Sequence, residues 1–389
     1  MRILAVGGGS GGHVTPVAAV CSQLQEAAPE AEIRFWCDKK FYRQAKTTML
    51  TLEKPIAVET IVAGKLRRYH TLSFLRQAVQ FRTIVLPNIV DGFKLIVGFG
   101  QSFVKLVIWR PDVIFAKGGF VCLPVGLSAH ILRIPLVIHD SDAHPGLTSR
   151  VLSQWASAIA TGAPLKYYPY PKKKSHYIGI PINSQAKPKT RQEADEYKKA
   201  AGFDPHMPLV VVIGGGLGAQ ALNDAVVRSL EDLTAFTSVA VVAGNANVEM
   251  VKRAASVKDK SKFQAYGHIA ITDLLQMYAS ADIVVTRAGA TTLLELATLG
   301  KPTIIVPNEI LTGGHQVKNA EVYKKAKAAM IVSERELDAS PLVLVDAINA
   351  ILLNKALQKQ LSANIKAFAK PKAATEMAAL ILAAIRRPK

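Results

Sequence analysis

Short aliphatic runs alternate with amphipathic stretches along most of the chain, and this rhythm predicts strands separated by helices. In the first half the predicted strands are 3–6, 32–36, 58–62, 111–115, 134–138, 158–161 and 175–178. In the second half they are 209–213, 239–243, 263–266, 282–286, 303–306 and 329–332. Helices are predicted at 17–25, 219–230, 247–256, 272–280, 291–299 and 315–327, and from 341 onwards. Such alternation is typical of parallel sheets with helices on both faces.

Two of these strands run directly into glycine-rich turns that open a helix. The strand Ile3–Val6 is followed by GGGSGGH at 7–13, and the strand Leu209–Ile213 is followed by GGGLG at 214–218. A strand that enters a helix through glycines presents backbone N–H groups to an anionic or polar ligand. We therefore expect an α/β protein with two doubly wound domains, each built on a parallel sheet, and a cleft between them.

The length and charge of the chain limit its class. With 389 residues it is long enough for two domains, and Gly179–Ile182 is the predicted hinge between domains at 1–180 and 181–371. Lysine and arginine number 48 against 29 aspartate and glutamate, a net charge of +19. This excess predicts an anionic partner, namely nucleic acid, anionic lipid or a phosphorylated substrate. No nucleic-acid recognition motif accompanies the charge, so we expect no nucleic-acid partner.

The cysteines and the apolar stretches exclude several classes of protein. Cys21, Cys37 and Cys122 are odd in number and lack the spacing of a zinc site, which fits a reducing compartment without a disulfide framework. The first residues have the pattern of a core strand and not of a signal peptide. The most apolar stretch, Ile84–Trp109, is interrupted by Asn, Asp and Lys before it reaches the roughly 18–20 residues of a membrane span.

Residues 65–105 are both basic and apolar, with a predicted amphipathic helix after Ser73. An apolar patch ringed by lysine and arginine is what docking on an anionic bilayer requires. A helix whose apolar stripe packs on its own sheet gives the same pattern, so the pattern alone leaves both interpretations open. The basic and aromatic positions of this candidate patch are Lys65, Arg67, Arg68, Phe74, Phe81 and Phe93.

The segment 286–295 leaves a predicted strand and opens a helix, with Gly289 and Ala290 at the turn. Free N–H groups and the positive end of the helix dipole are suited to a diphosphate at such a turn. Glu295 lies one turn into the helix, where a carboxylate can accept hydrogen bonds from ribose hydroxyls. Thr292 and Glu295 also have the spacing of a capping box, in which the glutamate satisfies only backbone donors, so both interpretations stand.

Other polar residues stand at strand ends and helix starts. His315 and Gln316 open a helix and are suited to sugar hydroxyls, although ordinary helix-terminus residues fit the pattern equally well. Residues His139–Asp142 end a predicted strand, where open α/β sheets bind ligands. His13 can act as a general base near neutral pH, but a lone histidine on a loop is more often structural.

Seven stretches, taken in order, resemble the MurG family of peptidoglycan glycosyltransferases, which belongs to glycosyltransferase family 28. The resemblance runs over nearly the whole chain, and the ordered set is more specific than any single piece. The stretches are GGGSGGHVTP at 7–16, KGGFVCLPVGL at 117–127, HDSDAHPGLTSR at 139–150, GIPI at 179–182, VVIGGGLGAQALN at 211–223, TRAGATTLLE at 286–295 and HQVKNA at 315–320.

The resemblance implies two Rossmann-like domains in the GT-B arrangement, with a C-terminal helix at about 372–389 returning to the first domain. It implies inverting transfer of N-acetylglucosamine from UDP-N-acetylglucosamine to the C4 hydroxyl of undecaprenyl-diphosphate-linked N-acetylmuramyl-peptide. The protein would lie peripherally on the cytoplasmic face of the cell membrane, which favours the docking interpretation of residues 65–105. Neither a cofactor nor a metal ion is implied, because helix N-termini would hold the developing diphosphate charge.

The resemblance assigns the donor to the second domain, residue by residue. Ile271 would meet the uracil through its backbone, Glu295 the ribose, and Thr292 with nearby N–H groups the diphosphate. His315 and Gln316 would meet the N-acetylglucosamine. The remaining positions given to donor binding are Ser10, Gly11, Gly12, Asn183, Gly216, Gly289 and Ala290.

The first domain would hold the lipid acceptor. His13 and Asp140 are the candidates for activating its hydroxyl, and Gly118, Gly119 and Asp142 are the candidates for binding it. Three features depart from the family's usual pattern. Asp140 and Asp142 stand where a glutamate and an asparagine are usual, Asn183 replaces an arginine, and Gly216 lacks a hydroxyl. These departures put donor affinity and acceptor identity in doubt.

Three rival functions follow from these departures and from the glycine loops. One is a related UDP-sugar transferase with a different lipid or glycan acceptor. Another is a non-catalytic UDP-sugar-binding relative, since phosphate contacts at Asn183 and Gly216 are weakened. An NAD-dependent dehydrogenase is disfavoured, because no acidic residue follows a clean G-x-G-x-x-G at the required distance of about 20 positions.

Overall fold

The computed structural model describes residues 1–8, 11–64, 83, 85–182, 187–214, 219–309 and 314–385, with the backbone alone at 11–13. These residues divide into two compact units. The first consists of the described part of Met1–Asn183 together with that of Lys370–Lys389, and the second consists of the described part of Ser184–Ala369. Each unit is built around its own parallel sheet.

The first unit contains a sheet of seven parallel strands in the order β3-β2-β1-β4-β5-β6-β7. The strands are β1 Arg2–Val6, β2 Glu32–Cys37, β3 Ala57–Thr60, β4 Val113–Ala116, β5 Leu136–Asp140, β6 Ala158–Thr161 and β7 Ser175–Tyr177. Its described helices are α1 Gly11–Ala27, α2 Tyr42–Leu50, α3 Leu86–Ile108, α4 Cys122–Ile131, α5 Leu147–Leu152 and, from the end of the chain, α16 Ala373–Ala383. Short 3-10 turns occur at Lys39–Phe41, Leu165–Tyr167 and Lys172–Lys174.

Both faces of this sheet are covered, as the continuous apolar strands predict. Along β1, Ile3 and Ala5 join the core shared with α1, whereas Leu4 and Val6 join a second core on the opposite face. The last helix, α16, belongs to the first of these cores. Its Met377 is fully buried there, although residues 184–369 separate this helix from the rest of the unit.

The second unit contains six parallel strands in the order β10-β9-β8-β11-β12-β13. The strands are β8 Leu209–Ile213, β9 Ser238–Val242, β10 Phe263–Tyr266, β11 Ile283–Thr286, β12 Thr303–Ile305 and β13 Met330–Ile331. Its described helices are α6 Arg191–Ala200, α7 Gln220–Arg228, α8 Leu230–Thr234, α9 Val248–Ala254, α10 Ile271–Ser280, α11 Ala290–Leu299, α12 His315–Lys325, α13 Glu334–Ala339, α14 Leu342–Leu353 and α15 Lys355–Lys366.

The predicted strands and most predicted helices are confirmed to within a few residues. The helix predicted at 219–230 is confirmed as α7, which ends at Arg228 and is followed by a separate short helix, α8. The helix predicted after Ser73 lies outside the described residues. Among the helices that the structure describes, none is long and apolar enough to cross a membrane.

Candidate functional site

In both sheets the order in which strands are added reverses after the third strand of the unit. As a result β1 lies beside β4 and β8 lies beside β11. Open α/β sheets bind ligands at such switch points, beyond the carboxyl ends of the strands. In the first unit the switch point is followed by the glycine loop after β1 and by Lys117–Gly119 after β4. In the second unit it is followed by Arg287–Gly289 after β11. The candidate residues therefore lie where ligand binding is expected within each unit.

The two loops of the first unit meet backbone to backbone. Gly118 and Gly119 have φ of 111° and 88°, which L side chains rarely adopt. A Cβ atom on Gly119 would overlap the carbonyl oxygen of Gly8. The N–H of Lys117 donates to the carbonyl oxygen of Val6 at 2.8 Å and fixes the start of the same loop. Two of the three acceptor-binding candidates, Gly118 and Gly119, thus adopt backbone conformations that favour glycine.

A polar cluster lies where β4 and β5 end. Lys117 is 1% exposed, and its ammonium group donates to the hydroxyl of Ser141. Asp140, also buried, accepts a hydrogen bond of 2.8 Å from the hydroxyl of Tyr170. The Tyr168 hydroxyl donates to the backbone carbonyl of Asp142 at 2.7 Å. Three side chains therefore hold the turn that follows β5.

Two groups of this cluster, the Asp140 carboxyl and the Lys117 ammonium, have pKa values shifted from their usual range. Burial, with a smaller effect of the Asp142 charge, raises the pKa of the Asp140 carboxyl to about 7, against the opposing effects of Tyr170, Lys117 and Ser149. Burial lowers the pKa of Lys117 to about 8, although the carboxylates of Asp140 and Asp142 oppose this shift. A carboxyl group that exchanges its proton near pH 7 is suited to general-base catalysis. The sequence reading missed Lys117 and Tyr170, and a lysine directly before Gly-Gly at a strand end is the signal that could have indicated the first.

The helix α11 in the second unit decides between the two interpretations of Glu295. Its N-cap is Gly289, which has no side chain to cap this end, and Thr292 lies inside the first turn. The capping-box interpretation is therefore wrong, because the N-cap lies three residues before the threonine that the box requires as cap. The first N–H groups of the helix remain available to an anion.

Glu295 is a buried carboxyl group without a protein partner in the part of the chain that the structure describes. It is 6% exposed, and none of the described residues donates a hydrogen bond to it. Burial raises the pKa of Glu295 to about 7. The fully buried hydroxyl of Tyr278, whose pKa is raised by burial and by the charge of Glu295, also has no partner among these residues. A ligand that donates hydrogen bonds would satisfy the carboxylate.

Side-chain hydrogen bonds tie this helix start to the neighbouring loops. Asn319 Nδ2 donates to the Ala288 carbonyl oxygen at 3.0 Å, and Gln316 Oε1 accepts from the Asn308 N–H at 2.9 Å. His315 is the first residue of α12, one turn before Asn319. The structure therefore brings His315 and Gln316 to the same end of the sheet as Gly289, Ala290 and Glu295.

Ile271 opens a different helix, α10, and is 38% exposed at its uncapped start. His13 lies in the first turn of α1, where the structure describes only the backbone, as it does for Gly11 and Gly12. Among the described residues, no group of three or more His, Cys, Asp or Glu side chains could hold a metal ion. The candidate positions outside the described residues are Ser10, Lys65, Arg67, Arg68, Phe74, Phe81, Asn183 and Gly216.

The helix α3 exposes many apolar side chains, whereas an ordinary surface helix exposes polar ones. Its buried residues are Asp91, Gly98, Ser102 and Leu106. Phe93 is 67% exposed and belongs to an outward row of large apolar side chains, the apolar stripe. The stripe consists of Leu86, Ile89, Val90, Phe93, Ile96, Val97, Val104, Val107 and Ile108.

The chain is similar to known proteins over nearly its whole length. The model of the glycosyltransferase family 28 N-terminal domain matches residues 3–161, and that of the C-terminal domain matches residues 209–377. A UDP-N-acetylglucosamine–N-acetylmuramyl-(pentapeptide) pyrophosphoryl-undecaprenol N-acetylglucosamine transferase of Caldanaerobacter subterraneus is 30% identical over 393 residues, covering 98% of this chain and 99% of that protein. Its counterpart in Clostridium perfringens is 31% identical over 345 residues, covering 88% of each chain.

Two solved structures show the same fold. The crystal structure of Acinetobacter baumannii MurG is 24% identical, with a TM-score of 0.73 over 98% of this chain and 99% of that one. The UDP-GlcNAc 2-epimerase of Neisseria meningitidis, bound to UDP-GlcNAc, is 10% identical, with a TM-score of 0.65 over 98% of this chain and 100% of that one. Together with the two parallel sheets, these matches confirm the predicted fold class.

Proposed function

The chain belongs to glycosyltransferase family 28, and we propose that it transfers N-acetylglucosamine from UDP-N-acetylglucosamine to undecaprenyl-diphosphate-linked N-acetylmuramyl-peptide. The C4 hydroxyl of the acceptor sugar attacks the anomeric carbon of the donor, the bond to UDP breaks, and the configuration inverts. The products are UDP and the lipid-linked disaccharide-peptide. Its relatives in Caldanaerobacter subterraneus and Clostridium perfringens bear the name of this transferase and match 98% and 88% of the chain, which supports this reaction.

The unsatisfied carboxyl group of Glu295 carries the proposal for the donor. A buried carboxylate without a protein donor is destabilising on its own, and two ribose hydroxyls would supply the missing hydrogen bonds. Ile271, at the start of α10, is the proposed contact for uracil through its backbone N–H or carbonyl group.

The start of α11 is the proposed site for the donor diphosphate. The N–H groups near Gly289, Ala290 and Thr292 form an uncapped helix end, which attracts negative charge. As the bond to the sugar breaks, charge accumulates on the diphosphate, so this end stabilises the leaving UDP. His315 and Gln316, held near the same loop, are proposed to bind the N-acetylglucosamine.

Asp140 is the proposed base for the acceptor in the first unit. Its raised pKa, about 7, makes it able to take the proton of the C4 hydroxyl near neutral pH. Gly118, Gly119 and Asp142 border the same loop end and are proposed acceptor contacts. His13 remains the alternative base, since it lies in the first turn of the glycine-rich helix α1.

The apolar stripe of α3 supports peripheral attachment to the cytoplasmic face of the membrane. Exposed apolar side chains on a helix gain free energy by entering the interfacial region of a bilayer. Lys94 and Lys105 lie on the same helix, and the chain carries a net charge of +19, which favours anionic lipid. The basic residues Lys65, Arg67 and Arg68 are proposed to add to this attraction.

The proposal is tested by measuring UDP release and UDP-N-acetylglucosamine affinity with purified lipid acceptor. Glu295→Ala should weaken donor binding at least tenfold, which is the loss of roughly 1.4 kcal/mol of hydrogen bonding. Glu321→Ala is the matched control, because this exposed carboxylate lies on α12 in the same unit. Unchanged donor affinity in Glu295→Ala would overturn the donor assignment. Turnover only with a different acceptor would overturn the acceptor assignment.

A further inference from the structure

The end of β5 and the turn that follows it carry two carboxylates, Asp140 and Asp142, beside one buried lysine. Lys117 reaches the turn from the end of β4 and donates to Ser141, the residue between Asp140 and Asp142. Its ammonium charge acts on both carboxylates, and theirs act on it. Burying an unpaired ammonium group is costly. Lys117 is instead the positive member of a three-residue group that also contains Asp140 and Asp142.

The geometry of the turn is fixed from several sides. The Gly162 N–H donates to the carbonyl oxygen of Asp140 at 2.7 Å, and the Tyr170 hydroxyl binds its carboxyl. Tyr168 holds Asp142 by its carbonyl oxygen and receives a hydrogen bond of 3.1 Å from the Ala163 N–H. Among the residues whose side chains the structure describes, those that act on the Asp140 carboxyl from the packed elements are Lys117, Asp142, Ser149, Tyr168 and Tyr170. Lys117 is the one cation among them.

We propose that Lys117 is a positioning residue for Asp140: through Ser141 it fixes the turn, and its positive charge offsets Asp142 and keeps Asp140 available as the base. This inference rests on the proposed function only in calling Asp140 the base. Burial raises the pKa of Asp140, and the second negative charge that Asp142 places beside it acts in the same direction. Lys117 counteracts that effect, so the acid at position 142 is tolerated in an active site.

Two variants with opposite expected effects test the inference. Lys117→Met removes the positive charge and should raise the pKa of Asp140, moving the acidic limb of the kcat/KM profile for the acceptor upward by roughly one pH unit. Asp142→Asn removes the neighbouring negative charge and should move the same limb downward. A residue with a purely structural role would lower activity without displacing the two midpoints in opposite directions. Lys46→Met, an exposed lysine of α2, changes the net charge equally and should leave the profile in place.

A second measurement separates this inference from the proposed function. The carboxyl ¹³C signal of Asp140, assigned by its loss in Asp140→Asn, reports the protonation of Asp140 without any substrate. Its midpoint should rise in Lys117→Met and fall in Asp142→Asn. Midpoints that stay fixed, or that move together, would overturn the inference even in an active enzyme. If the wild type transfers nothing to the lipid acceptor but the midpoints move as expected, the proposed function fails and the charge relationship stands.

Discussion

The side-chain amide of Asn319 donates a hydrogen bond of 3.0 Å to the backbone carbonyl oxygen of Ala288. Asn319 is buried on α12, and Ala288 lies directly before the N-cap of α11. This bond joins the two helix starts to which we assign the diphosphate and the sugar of the donor. In the proposed complex this bond would hold the diphosphate site and the sugar site in a fixed relationship.

Asn319→Ala should cost both stability and donor affinity. Removing the amide leaves the buried Ala288 carbonyl oxygen unsatisfied, at a cost of about 1–3 kcal/mol in the free energy of unfolding. Urea denaturation and calorimetric titration with UDP-N-acetylglucosamine measure the two effects. Asn364→Ala is the control, because Asn364 Nδ2 also donates to a backbone carbonyl, that of Lys327 at 2.9 Å, but at an exposed position. Equal losses in both variants would contradict the prediction.

UDP binding should release protons between about pH 6 and 7. Burial raises the pKa of Glu295 to about 7, so the empty site is partly protonated in this range. Ribose hydroxyls stabilise the ionised carboxylate and lower its pKa on binding. Calorimetry in buffers with different ionisation enthalpies counts the released protons. Glu295→Gln should abolish the release, whereas proton uptake in the wild type would argue against this contact.

Asp140 should make the first unit less stable as the pH rises. Its pKa is raised from 3.8 to about 7, so the unfolded chain loses this proton first, and stability falls between about pH 4 and 7. Asp140→Asn should remove that dependence and raise the free energy of unfolding at pH 8 by roughly 1–3 kcal/mol, while transfer is lost. Urea denaturation at pH 5 and pH 8 provides the measurement. The exposed Asp346→Asn removes the same charge and should show neither effect.

Gly119→Ala should disrupt the loop at Lys117–Gly119 that follows β4. The added Cβ would overlap the Gly8 carbonyl oxygen at a φ of 88°, so a loss of about 2–4 kcal/mol in stability is expected. Gly92→Ala is the matched control. There a Cβ meets nothing within 4 Å, and alanine should stabilise α3 by about 0.5–1 kcal/mol. Denaturation curves show whether each substitution lowers or raises the free energy of unfolding. A Gly119→Ala protein as stable as the wild type would show that the loop can move away.

Charges in the apolar stripe should release the protein from membranes. Phe93 and Ile96 are both 67% exposed, so replacing both by glutamate removes apolar area and adds repulsion from anionic lipid. Partitioning into vesicles of anionic phospholipid should fall about tenfold or more. Leu353→Glu, at a position 78% exposed in the second unit, is the control and should bind vesicles as the wild type does. Unchanged partitioning of the double variant would exclude the stripe as the docking surface.

Most strands could be predicted because a buried parallel strand has a continuous apolar run. Leu209–Ile213 is an example, with all five residues buried as the sequence indicates. Helix starts were predictable where turn chemistry was distinctive, and α11 begins one residue before its predicted position. Periodicity did not show that α3 carries its apolar residues outward, because the hydrophobic pattern of a helix does not say which face meets the protein.

The sequence indicated candidate site residues, but it did not indicate their electrostatic surroundings. Strand ends followed by glycine and polar residues indicated Asp140, Gly119 and Glu295. The sequence could not show that Glu295 lacks a protein partner, because that depends on residues distant along the chain. It also could not place Lys117 against Ser141, a contact across 24 positions that joins the ends of adjacent strands.

The return of α16 to the first unit has a consequence for synthesis on the ribosome. Met377 and Ile381 fill a core whose other members come mainly from the first 160 residues. That core stays open until the final helix leaves the exit tunnel, whereas the second unit, contiguous in sequence, has all its strands beforehand. Cotranslational folding should therefore finish with the unit that was started first. A chain truncated before Ala373 should contain a protease-resistant second unit and a protease-sensitive first one.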